Sequence, residues 1–86
     1  MNTIQILYFA RLREAFDCAQ EKVDLPASVA SVADLTRWLA QRGEVWQQEL
    51  GGQRVIRVAL NQEMALPDTL IPAGAEVAIF PPVTGG

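Results

Sequence analysis

The chain has 86 residues, half of them hydrophobic, with a formal net charge of −3, no histidine and a single cysteine, Cys18. That length builds one small domain near the lower end of what folds alone, and the composition excludes an internal disulfide while removing the commonest metal ligand and the usual general base. The acidic balance and arginines dispersed along the sequence argue against nucleic acid as a partner, and no apolar run approaches the roughly 20 residues that cross a bilayer.

Thr3 to Phe9 alternates and is rich in β-branched and aromatic residues, which predicts a first strand buried on at least one face. Leu12, Ala15 and Phe16 then recur at helical spacing, enough for a short helix from Ala10 to Phe16. Glu21 to Leu25 alternates again and stops at Pro26, a second strand antiparallel to the first. Ser31 opens the clearest helix, because its hydroxyl can cap the backbone and Asp34 three residues on completes a capping box. Leu35, Trp38, Leu39 and Arg42 share one stripe of that helix, the first three facing a sheet, and Gly43 is placed to end it.

Val45 to Leu50 reads as a further helical turn, and Gly51-Gly52-Gln53 reverses the chain. Val55 to Leu60 is a strong strand, Asn61-Gln62 a turn, and Glu63-Met64-Ala65 a short strand. Pro67-Asp68 makes a turn, and Pro72 to Ala75 a tight reversal into a final strand ending at Phe80. One main helix covers one face of a mixed sheet of about five strands, so the fold class is α+β, with a domain over residues 1–80 and a tail over 81–86.

The tail Pro81-Pro82-Val83-Thr84-Gly85-Gly86 carries the strongest functional signal. Each proline fixes φ and donates no hydrogen bond, which favours a stiff extended stalk. Its six residues reach about 20 Å when extended. Two glycines lack side chains, so the tip fits a slot too narrow for other residues, and the Gly86 carboxylate is its reactive group. Such a tail is suited to insertion into another protein. Val83 on the stalk, with Phe9 and Phe80, offers apolar surface for docking, and Arg11 is a further interface candidate. Trp38 and Trp46 are better suited to packing. Cys18 has no histidine beside it and no second cysteine for a redox pair, so no chemical role is assigned to it.

The order of elements together with Phe80-Pro81-Pro82-Val83-Thr84-Gly85-Gly86 resembles the ubiquitin-like β-grasp proteins that carry sulfur. The resemblance is to the MoaD family, the sulfur-carrier small subunits of molybdopterin synthase, and covers the chain from Leu7-Tyr8-Phe9-Ala10-Arg11 through Val58-Ala59-Leu60-Asn61-Gln62 to the tail. It implies that a separate ATP-dependent adenylating enzyme activates Gly86, that a sulfur donor converts it to a thiocarboxylate, and that the tail enters a pocket of the large subunit. There the sulfur would pass to a cyclic pyranopterin precursor in molybdenum cofactor synthesis. It further implies a heterotetramer, no cofactor bound by this chain, catalytic side chains supplied by the large subunit and a cytoplasmic location, which suits the absence of a basic leader at Met1-Asn2-Thr3-Ile4. Sulfur delivery to thiamin synthesis, a protein modifier joined through Gly86 to lysine, and a plain binding module with a passive tail are the alternatives.

Overall fold

Alternation in β1 (Asn2–Tyr8) places Ile4, Ile6 and Tyr8 on one face, where all three are buried, and Thr3, Gln5 and Leu7 on the other. The computed structural model describes residues 2–82 and adds α1 (Arg11–Phe16), β2 (Gln20–Leu25), α2 (Val32–Ala40), α3 (Glu44–Leu50), β3 (Arg57–Leu60), β4 (Glu63–Ala65) and β5 (Glu76–Phe80). The sheet order is β2-β1-β5-β3-β4, with β1 and β5 parallel and the other neighbours antiparallel. This is the mixed α+β arrangement expected from the pattern. The last strand thus lies in the middle of the sheet, between β1 and β3, and the chain leaves from there toward the tail.

The inner face of the sheet meets α2 and α3. Leu12, Leu35 and Leu39 pack with Ile4, Ile6, Val77 and Ile79 in a single core that also takes in Leu25, Val58 and Leu60. At the start of α2 the capping box forms as predicted: Ser31 Oγ accepts from Asp34 N at 3.1 Å, and Asp34 Oδ2 accepts from Ser31 N at 3.1 Å. Trp38 is only partly buried at the rim of the stripe, with the Arg42 guanidinium 5.8 Å above its ring.

Two expected boundaries shift by two residues or more. Gly43 does not terminate α2, which ends at Ala40. The N–H groups of Gln41 and Arg42 turn back to the carbonyls of Trp38 and Leu39, so the helix closes without a left-handed residue, and Gly43 instead starts α3. The strand expected from Val55 begins at Arg57, because its partner β5 runs out where Phe80 opposes Arg57. Upstream, Val55 and Ile56 have strand propensity but no ladder to join.

The β3–β4 turn is left-handed at both Asn61 (φ 49°) and Gln62 (φ 70°), the twist that suits a two-residue hairpin. Asn61 also fixes the start of β5, its Oδ1 accepting from Glu76 N at 2.9 Å. Between β1 and α1, Ala10 sits at φ 55° and ψ −132°, a region that a Cβ makes costly. Ala10→Gly should relieve that strain, partly offset by the greater chain entropy of glycine when unfolded. The expected result is a melting temperature a few degrees higher; a lower one would mean that Ala10 is unstrained.

Candidate functional site

The site is built at the end of the sheet where β5 delivers the chain to Pro81 and Pro82. Both prolines are half-buried. Of the residues assigned to the tail, Val83, Thr84, Gly85 and Gly86 lie outside the described residues.

Pairing register lays out the outer face of the sheet in rows. Leu7 lies beside Ala78, Ala78 beside Ala59, and Ala59 beside Met64, a continuous apolar row across four strands. The next row toward the tail brings Phe80 opposite Arg57, with Phe9 following Tyr8 on the other flank and donating its N–H to the Ile79 carbonyl at 3.2 Å. Phe9 is 46% exposed and Met64 63%, which for large apolar side chains on one face marks a surface suited to covering. At the opposite end the same face is polar: Gln5 pairs with Lys22 and Glu76, and Thr3 with Asp24. The apolar half is therefore the half from which the tail departs.

Phe9 and Phe80 lie at the same end of the sheet, at the base of the tail. Leu7, Ala59, Met64 and Ala78 were not singled out from sequence. The signal was present in β1 and β5: strict alternation gives way toward their ends, where Leu7, Phe9, Ala78 and Phe80 make both faces apolar.

Arg11 is placed by an ion pair that sequence spacing did not reveal. Glu49 on α3 is buried, and its Oε1 receives the Arg11 Nε–H at 2.9 Å while Oε2 receives the Arg54 Nη1–H at 3.2 Å. One carboxylate thus gathers guanidiniums from residues 43 positions apart in the chain, so arginines that are dispersed in sequence are clustered in space. Both remain substantially exposed, which limits what the pairs add to stability.

Beneath Phe9, the side chain of Tyr8 points inward and its hydroxyl donates to Glu21 Oε2 at 2.7 Å; Arg42 Nη1 donates to the same oxygen at 2.7 Å. Trp46 stacks on Phe16 at 3.7 Å and 4°, with the Arg42 guanidinium 4.7 Å over the indole. Trp46 is half-buried, a packing residue as expected. Burial, aided by the hydrogen bond to Glu21, drives the Tyr8 hydroxyl far above its ordinary pKa. Burial raises Glu21 as well, but the hydrogen bonds from Arg42 and Tyr8 outweigh it and hold the carboxyl below its usual range. Asp34 is also lowered, by the N–H groups of Ala30 and Ser31. Carboxyls lowered in the fold contribute stability that is complete above their unfolded values near about 4 and is lost as pH falls through the lower folded values. The melting temperature should accordingly be flat from pH 8 to about 5 and decline below about 4, the decline being shallower in Glu21→Gln. An unchanged slope in that variant would count against the network.

Cys18 is half-buried, its thiol donating to the Gln20 carbonyl at 3.4 Å. Burial, then the charge of Glu21, pushes the thiol pKa up, so little reactive thiolate is present at neutral pH. Among the described residues no three His, Cys, Asp or Glu side chains stand close enough to hold a metal ion, and no helix is long and apolar enough to cross a membrane.

Comparison with known proteins places this geometry among relatives. A profile described as the ThiS family matches residues 6–86. The chain is 32% identical over 83 residues to a protein named molybdopterin synthase sulfur carrier subunit from Haemophilus influenzae, covering 96% of this chain and 99% of that one. The Escherichia coli protein of the same name matches with the same identity and coverage. Among solved structures, the small archaeal modifier protein 1 of Haloferax volcanii superposes with a TM-score of 0.79 at 27% identity, over 96% of this chain and all of that one.

Proposed function

The chain belongs to the ThiS family, and on that premise we propose that it is the sulfur-carrying small subunit of a molybdopterin synthase, with Gly86 as the carrying residue. The observation that carries this reading is that the apolar half of the open sheet face lies at the end where β5 runs into Pro81 and Pro82, from which the sequence continues to Gly85-Gly86. Docking of the face on a larger protein would point the tail into that protein. Full-length similarity to proteins named for this role supports it.

The chemistry follows from the group at the tip. A terminal carboxyl with a pKa near about 3.5 is ionised at neutral pH and resists nucleophiles. Its oxygen would attack the α-phosphate of ATP in a separate adenylating enzyme, releasing pyrophosphate and leaving an acyl-adenylate. A sulfur donor then displaces AMP, and Gly86 holds a thiocarboxylate whose sulfur is the next nucleophile. Insertion of the tail into the large subunit sets that sulfur against the pyranopterin precursor, replacing a bimolecular encounter by a positioned one. Two such transfers complete the dithiolene, within a heterotetramer of two large and two small subunits. This chain binds no cofactor in the scheme, and acid, base and phosphate-binding groups come from the large subunit. A cytoplasmic setting, where ATP and the partners meet, fits the scheme.

Intact mass spectrometry of the protein purified from cells tests the carrier role. A fraction heavier by one sulfur-for-oxygen exchange, mapped to Gly86, is the expected result; its complete lack in the presence of ATP, the adenylating enzyme and a sulfur donor would refute carriage. The likeness to an archaeal modifier protein favours a second reading, in which the activated Gly86 forms an isopeptide bond to lysine. The same sample distinguishes it, because peptide mapping would then find lysines joined to the Gly86 carbonyl. Delivery to thiamin synthesis would share every step up to the acceptor, and a passive binding module would share none of them.

A further inference from the structure

Three of the seven basic residues gather at the end of the sheet from which the tail departs. Arg57 opposes Phe80, the last residue of β5, in register. Arg54 lies three residues before it and is tied through Glu49 to Arg11, which follows Phe9 by two positions at the start of α1. Glu49 is shared between Arg11 and Arg54, so a single carboxylate balances two guanidiniums, and Arg57 makes no ion pair among the described residues. Arg11, Arg54 and Arg57 against the one Glu49 carboxylate leave two positive charges over in this cluster, in a chain of net charge −3. The far end of the same face carries Asp24 and Glu76, with Lys22 among them.

We infer that Arg11, Arg54 and Arg57 form a basic collar that steers the domain, tail first, onto a rim of carboxylates surrounding the opening that receives the tail. The inference rests on the carrier reading only for the identity of the receiving protein, the large subunit. Reach decides against a ligand at the tip as the collar's target. A tail extended as its prolines favour would set a group on Gly86 up to about 20 Å from the tail base, beyond an arginine side chain. What lies against the collar when the tail is inserted is the outer lip of the pocket, and the charge that complements three guanidiniums there is acidic. The opposed charges at the two ends of the face give the domain a dipole that turns it toward such a rim during approach.

The test is association of the full chain with its large subunit, followed by stopped-flow fluorescence. At about 0.01 M salt the screening length is about 30 Å, and at about 1 M it is about 3 Å. The double variant Arg54→Gln, Arg57→Glu should associate about tenfold more slowly than the native chain at low salt and at the same rate at high salt, with dissociation little changed. Arg57→Lys should retain the native rate, and Arg37→Glu, on α2, should leave it unaltered. Melting curves confirm that each variant is folded. Equal rates at low salt, a loss confined to dissociation, or native association that does not slow with added salt would each overturn the collar. Titration with AMP as a probe should give no heat; binding abolished by the double variant would assign the arginines to phosphate and overturn it too. The two readings fail separately: salt-independent association with sulfur present on Gly86 rejects the collar alone, and salt-dependent steering without sulfur on Gly86 rejects carriage alone.

Discussion

On the proposed carrier role, deletion of Gly86 is expected to lower sulfur transfer to the pyranopterin precursor by at least about 10²-fold while leaving the melting temperature unchanged. The magnitude follows from geometry. Shortening the tail by one residue withdraws its reactive carbon by about 3.5 Å, and a misplacement of even about 1 Å can cost about 10²-fold in a positioned reaction. The stability half follows from the core, whose buried residues, among those described, run no further along the chain than Ile79. Single-turnover assays with the thiocarboxylated protein, beside thermal melts of both forms, check the two halves together. Transfer that survives the deletion would remove Gly86 from the chemistry, and loss of folding would mean that the tail is part of the domain.

Leu39→Ala loses about 2–5 kcal/mol of stability, the range for removing a fully buried leucine from a core that cannot collapse around the gap. Leu39 is wholly inaccessible on α2, among the side chains that join the helix to the sheet. For a domain of this size each kcal/mol moves the melting temperature by about 4–8 °C, so a drop of about 10 °C or more is expected by circular dichroism. Leu66→Ala is the control: that residue is 69% exposed, and its truncation should change stability by less than about 0.5 kcal/mol. A Leu39→Ala melt within a few degrees of native would show that α2 does not close the core.

The secondary elements were largely legible because their signals are local. The β5 strand and the short β4 strand fall where alternation and turn residues put them, and the Ser31–Asp34 box starts α2 at the expected residue. Misplaced boundaries were those decided by a partner. Nothing in Val55-Ile56 announces that the neighbouring strand has already ended, and nothing in Gly43 reveals that α2 has closed before reaching it. The apolar outer face was half legible, through Phe9 and Phe80, since its remaining members look like ordinary strand residues until the register sets them side by side.

The sequence by itself determined the tail, the acidic balance, the lack of histidine and the periodicities, because these depend on residue identity and on neighbours a few positions away. Only the tertiary structure decided that the final strand lies mid-sheet beside the first, that the apolar half of the open face is the half from which the tail leaves, and that Glu49 draws Arg11 and Arg54 together. Those facts rest on contacts between residues tens of positions apart, whose pairing is chosen by the packing of the whole core and leaves no periodic mark in the chain.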